Sequence, residues 1–215
     1  MKLVIGLVDY GTGNIASLEM ALSDLNAASL LVHDPSDLTS VDAVILPGVG
    51  HFGPAALALE DSGMRESLLS LIEQGVPVLG ICLGFQMLTS GSEEAPGVGG
   101  LGVLPGYAKR IRPRNTQIHK VPHLGWNSMV TSIRSPRLLK GISADKRLFY
   151  FANAYGVAVD SAYPPICHAL YQHESSWLGL IEQGSVFGVQ FHPEKSRSQG
   201  LQVLRNFLSV AGEKG

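Results

Sequence analysis

The chain begins with a continuous apolar run, KLVIGLVDY, after which Ile15, Leu18, Leu22 and Leu25 recur at steps of three and four. An uninterrupted apolar run is the pattern of a strand covered on both faces, and the three-four spacing is that of a helix with one buried side. The opening therefore predicts a strand followed by a helix, with Asn14 as the helix N-cap. SLLVHD and DAVILPG repeat the strand pattern, MRESLLSLIEQG predicts a helix ended at Gly75, and VPVLGIC returns to a strand. Such alternation predicts an α/β fold built on a parallel, doubly wound sheet.

After Leu88 the pattern changes. Turn-rich segments, SEEAPGVGGLGVLPG and RPRNTQIHKVPHLGW, precede the short strand patterns RLFYFANA, PPICHALY, WLGLIEQ and SVFGVQFH, all of which are expected to pair antiparallel. A last helix, SQGLQVLRNFLSVAG, carries Leu201, Leu204 and Leu208 on one face. With no internal repeat and no low-complexity linker, residues 1–215 are expected to form a single domain.

Composition narrows the function classes. Charged residues make up 16% of the chain and hydrophobic ones 45%, which excludes a disordered or fibrous protein. A net charge of −2 carries no basic footprint for nucleic acid. Cys82 and Cys167 are the only cysteines, and no C-x-x-C or H-E-x-x-H spacing offers zinc ligands, so neither a disulfide framework nor a metal is expected. Asp9 interrupts the first apolar run and no small-residue cleavage site follows, so that run reads as a buried strand rather than a leader or a membrane span. A cytoplasmic, reducing location is expected.

Three stretches could carry chemistry. Gly11, Gly13 and Ala16 fit G-x-G-x-x-A between a strand and a helix, with Asp34 closing the next strand, so a dinucleotide-binding oxidoreductase is one reading. Asp9 and Tyr10 intervene before the glycines, however, and nothing downstream resembles a hydride-transfer site. A tight strand-to-helix turn explains the motif better.

The second stretch is GICLGFQ. Cys82 stands between Gly80 and Gly84 where a strand turns into a helix, the spacing of a nucleophile elbow in which small residues on either side let strand and helix approach. At a helix start a thiolate gains from the dipole and from free backbone N–H groups that can also hold an oxyanion.

The third supplies a base. Among seven histidines, His33, His51, His119, His168 and His173 have no neighbouring partner pattern, and His123 in VPHLGW is expected to pack. In FHPEKS, Pro193 forces an extended backbone at His192, which puts Glu194 on the same side as the ring. Cys82, His192 and Glu194 thus have the makings of a nucleophile, a base and an orienting acid.

With those residues in place, the chain resembles the class I glutamine amidotransferases, whose catalytic signature GICLGFQ and HPEKS match. Within that family DYGTGN, LPGVGHFG, SEE, HLGWN and QFHPEKS are similar, in order, to the glutaminase subunits of imidazole glycerol phosphate synthases. The resemblance implies a flavodoxin-like, doubly wound, mostly parallel central sheet with antiparallel strands added in the second half. It implies a catalytic triad of Cys82, His192 and Glu194, and an oxyanion site from Gly48, Val49, Gly50 and the Leu83 N–H. Glutamine would be held by Gln86, Glu94, Asn153, Ala154 and Tyr155. Asn153 and Ala154 stand where the family usually has His-Ser, so side-chain contacts there differ.

The reaction implied is hydrolysis of L-glutamine to glutamate and ammonia without metal or organic cofactor. A triad spread over Cys82 to Glu194 leaves no room for a domain that uses the ammonia. The implied partner is a (βα)8-barrel cyclase subunit, forming a heterodimer and making imidazole glycerol phosphate and an aminoimidazole carboxamide ribotide in histidine biosynthesis. Asn14, Trp126 and Lys195 are the expected contacts with it. Amidotransferases serving anthranilate, aminodeoxychorismate or pyridoxal phosphate synthesis share the triad but not DYGTGN or HLGWN. Outside the family, a cysteine peptidase or an inactive binding module are the remaining readings.

Overall fold

The computed structural model describes residues 3–11, 14–131, 136–158 and 167–213. Gly13 and the side chain of Cys167 lie outside the described residues. The first half alternates as the sequence pattern predicts: β1 (Val4–Val8), α1 (Ile15–Asp24), β2 (Ala28–Val32), β3 (Ala43–Leu46), α2 (Phe52–Asp61), α3 (Met64–Glu73), β4 (Val78–Ile81) and α4 (Leu83–Leu88). Asn14 precedes α1, but its side chain accepts from the Ser17 hydroxyl at 2.9 Å rather than from a backbone N–H.

Helix α2 is not evident from the sequence, because glycine and proline crowd its start. Pro54 falls in the first turn, where a missing N–H breaks no helical hydrogen bond.

The second half contributes β5 (Ala108–Arg110), β6 (His123–Thr131), β7 (Leu148–Asn153), β8 (Tyr155–Val157), β9 (Cys167–His173), β10 (Ser175–Gln183) and β11 (Val186–Val189), then α5 (Arg197–Gly212). The main sheet has the order β2-β1-β3-β4-β11-β10-β9-β6-β7. One expectation is corrected here. The SVFGVQFH segment does not lie wholly among antiparallel neighbours: β11 is antiparallel to β10 but parallel to β4, with Gly188 opposite Gly80. β11 is thus the seam that continues the parallel half into the antiparallel one.

Strand alternation sends Ile5, Leu7, Ile45, Leu79 and Ile81 to the face covered by α1 and α5, and Val8, Val44, Leu46 and Val78 to the face covered by α2, α3 and α4. On α5, Val203, Leu204 and Phe207 are fully buried, each burial stabilising by roughly 1.5–3 kcal/mol. Helices on both faces leave the carboxyl ends of β3, β4 and β11 open to one crevice, the place where open α/β sheets bind ligands.

Candidate active site

β4 is buried along its whole length and ends at Cys82, whose backbone has φ 51° and ψ −102°. A side chain in that region costs on the order of 1–3 kcal/mol and persists only where surroundings impose it. Here the Cys82 N–H donates to Val189 O at 2.7 Å while its carbonyl accepts from Gln86 N at 3.1 Å, so the strained residue is held from the sheet and from α4. Close packing explains the two flanking glycines. A Cβ on Gly80 would come within 2.6 Å of the Gly84 backbone, and one on Gly84 would collide with the Leu46 carbonyl. Gly188 similarly makes room for the Phe85 ring of α4.

The loop after β3, Pro47-Gly48-Val49-Gly50, lies against this elbow. A Cβ on Gly48 would overlap the Ile81 carbonyl and the Leu83 N–H, so the loop backbone runs directly beside the first free N–H of α4. Gly50 adopts φ +127°, a conformation that glycine takes without penalty.

Beyond β11, His192 is anchored by its N–H to Tyr150 O at 2.9 Å, and its carbonyl accepts from the Ser196 hydroxyl at 2.6 Å. Its Nδ1 donates to Glu194 Oε1 at 2.9 Å, with both side chains almost wholly buried. That bond leaves Nε2 for the thiol. Nε2 has no aligned hydrogen-bond partner, and Cys82 and Glu194 are the two side chains that interact with the ring. Burial opposes a charged imidazole, but the interactions with Cys82 and Glu194 outweigh it, and the His192 pKa is pushed up to about 10.

A cleft of about 170 Å³ opens above Cys82, lined by Gly48, Val49, Gly50, Leu83, Gln86, Glu94, Ala152, Asn153, Ala154 and Tyr155. Every residue expected to form the oxyanion site or hold glutamine lies on it. Glu94 also makes contacts that the sequence does not reveal: its carboxylate accepts from the Phe52 N–H at 2.9 Å at the start of α2 and pairs with His51 Nδ1 at 3.1 Å. His51 therefore has a partner after all. Asn153 donates to Tyr155 O at 2.9 Å and to the Tyr171 hydroxyl at 3.0 Å, leaving its own Oδ1 buried and unpartnered beside the cleft.

A second, smaller cavity of about 10 Å³ lies between Asn14, Leu18, Pro47, Gly48, Val49, Ile81, His192 and Glu194. Gly48 and Val49 line both cavities, so the loop is the wall between them. Trp126 is partly exposed on β6, under the Arg197 guanidinium at 4.8 Å, and Lys195 is exposed beside the His192 loop. His123 packs as expected, against the Phe151 and Tyr171 rings, and His173 is buried with its Nε2 bonded to Lys120 O at 3.0 Å.

Sequence reasoning missed Gln190, which is fully buried within reach of Cys82 and Gln86. Its place two residues before His192 was the available signal. Among the described residues, no group of three or more His, Cys, Asp or Glu side chains is placed to hold a metal, and no helix is long and apolar enough to cross a membrane.

Comparison with known proteins shows the family and the fold. The family model for glutamine amidotransferase class-I matches residues 6–211. A protein of Methanothermobacter thermautotrophicus named imidazole glycerol phosphate synthase subunit HisH is 44% identical, covering 96% of this chain and 98% of its own. One of Moorella thermoacetica with the same name is 41% identical over 98% and 97%. Among solved structures, PurLQS from Thermotoga maritima superposes with a TM-score of 0.74 at 20% identity, covering 98% of this chain and 99% of that one.

Proposed function

The chain belongs to the class I glutamine amidotransferases, as a HisH-type glutaminase subunit of imidazole glycerol phosphate synthase in histidine biosynthesis, and from that premise we propose how its residues do the work. The carrying observation is the cleft itself, which brings Cys82, the free N–H end of α4 and the Gly48-Val49-Gly50 loop together, with the His192–Glu194 pair beside Cys82 and lining the smaller cavity.

Glutamine enters with its side-chain amide over Cys82. The thiolate attacks the amide carbon, and the developing oxyanion is held by the Leu83 N–H and an N–H of the Gly48-Val49-Gly50 loop, each such donor supplying roughly 10²–10³ in kcat. His192 protonates the departing nitrogen from Nε2 while Glu194 holds the ring through Nδ1. Water, deprotonated by His192, then cleaves the thioester and releases glutamate. Gln86, Glu94 and the Asn153-Ala154-Tyr155 segment hold the amino-acid end of glutamine, with the unpartnered Asn153 Oδ1 a natural acceptor.

Ammonia leaves through the smaller cavity, which has room for about one molecule of water size. Its acceptor is a (βα)8-barrel cyclase subunit. The docking face includes Asn14, Lys195 and Trp126, continued along β6 and β7 by Leu124, Val130 and Leu148, all exposed apolar side chains. Arg197 and Lys195 add positive charge, which suits an acidic rim on the partner.

The test is Cys82→Ala assembled with the cyclase subunit. Glutamine-dependent synthesis is expected to vanish while ammonia-dependent synthesis persists. Glutamate production near the unsubstituted rate would remove Cys82 from its role.

A further inference from the structure

Behind Cys82 and Gln86, out of reach of the cleft itself, lies a buried amide to which glutamine hydrolysis by the triad gives no part. Gln190 sits one residue past β11 with none of its surface exposed, and its N–H is tied to Gly179 O at 2.9 Å. Its side-chain Oε1 accepts from Gln86 Nε2 at 3.2 Å, and its Nε2 donates to Cys82 Sγ at 3.5 Å.

The amide fits only this way round. The Tyr155 carbonyl can only accept, so Gln86 must turn its NH₂ towards it, at 3.0 Å, and the same nitrogen then meets Gln190. Two amino groups face to face would leave buried donors unpaired. Gln190 therefore presents oxygen to Gln86 and N–H to the sulfur.

Burying a primary amide costs free energy unless its hydrogen bonds are made, and an apolar side chain of the same volume would fill this space at no such cost. A neutral thiol is a weak acceptor, whereas hydrogen bonds to an ionised acceptor are roughly twice as strong as neutral ones. The Gln190 N–H thus favours the thiolate over the thiol. The titratable groups facing Cys82 are His192 beyond β11, Tyr10 after β1 and Tyr171 on β9. Burial pushes both phenols far up, so they stay neutral, and His192 is the cation among the three.

We propose that Gln190 is a fourth catalytic residue, whose side-chain N–H holds the Cys82 sulfur as a thiolate both before attack and when sulfur departs in deacylation. His192 gives up its proton to the leaving ammonia, so it is not a constant donor to sulfur. Gln190 is, because it never exchanges roles. The proposal rests on Cys82 being the nucleophile.

The decisive measurement is the pH dependence of Cys82 alkylation by iodoacetamide, followed by mass spectrometry of the peptide, in the full chain and in Gln190→Met. Methionine keeps the volume and removes the donor. The midpoint is expected to rise by about one pH unit, and kcat/KM for glutamine at neutral pH to fall about tenfold with the cyclase present. An unmoved midpoint in a folded Gln190→Met overturns the proposal alone, whereas glutamine hydrolysis surviving in Cys82→Ala overturns the nucleophile reading beneath it. Should Gln190→Met fail to fold, NMR of the unsubstituted chain decides: the Gln190 side-chain amide signals are expected to titrate together with Cys82 alkylation and to lose that titration in Cys82→Ser. Signals indifferent to that titration overturn it equally.

Discussion

At the level of single residues, His192 concentrates the chemistry of the site in one ring. Its pKa is pushed up to about 10 because the interactions with Cys82 and Glu194 outweigh the burial that opposes charge. The folded value lies above the ordinary histidine value of 6.5, so the folded state holds this proton more tightly than the unfolded chain. The stabilising contribution is complete below the unfolded value and is lost as pH rises through about 10. In the proposed mechanism the same imidazolium is the acid for departing ammonia, so the alkaline limb of kcat/KM for glutamine is expected near that pH. In Glu194→Gln the neutral amide supports the charge less, and the limb should move to lower pH with a smaller loss of rate than His192→Ala, for which on the order of 10²–10⁴ is expected. A limb that stays in place would separate Glu194 from the ring's charge.

Among the elements, β6 shows how a strand end can couple acidity to stability. His123, its first residue, packs against the Phe151 and Tyr171 rings, and His173 lies 4.3 Å away, with His119 against His173 at 5.0 Å. Burial, then the neighbouring His173 and His119, lower the His123 pKa to about 4. Burial also lowers His173, against the bond that its Nε2 makes to Lys120 O and the nearby Glu174. Here the sign reverses: between about 6.5 and 4 the unfolded chain binds the proton that folded His123 refuses, so stability falls as pH falls through that window. His123→Phe keeps the stacking and removes the titration. Its stability, measured by urea unfolding at pH 7 and pH 4.5, is expected to change less than that of the unsubstituted chain, by about 1–2 kcal/mol after allowing for solvent screening. Equal losses in both would clear His123 of the effect.

For the molecule as a whole, the site is built from three consecutive carboxyl ends and closed by the antiparallel extension, whose outer face carries the exposed side chains proposed for docking. Leu124 and Trp126 point outwards from alternate positions of β6, and Arg197 covers the Trp126 ring. Buried aromatics near the centre of an interface typically cost 2 kcal/mol or more when truncated. Trp126→Ala is therefore expected to weaken binding of the cyclase subunit at least about tenfold in titration calorimetry, and Leu124→Glu to weaken it further. Undiminished affinity in both variants would move the docking face elsewhere.

Much of this was written in local sequence. Continuous apolar runs and three-four spacing set β1 to β4 with α1 and α3, because burial on two faces or on one leaves those periods. GICLGFQ and HPEKS were legible because short-range geometry needs only neighbours, although the route differs in HPEKS: His192 is extended as expected, but a 3-10 turn over Pro193–Lys195, not strand alternation, brings Glu194 to the ring. What lies between distant segments was not legible. β11 chose β4 as a parallel partner because Gly188 could stand over Phe85 opposite Gly80, a fit that exists only once α4 is packed. β6 was hidden because its outward face is apolar, so its alternation did not mark a boundary with water. Gln190 looks in sequence like any polar residue beside a histidine; its hydrogen bonds to Gln86 and Cys82 arise because β4 and β11 end side by side, and pairing across a hundred residues of chain is decided by the tertiary fold alone.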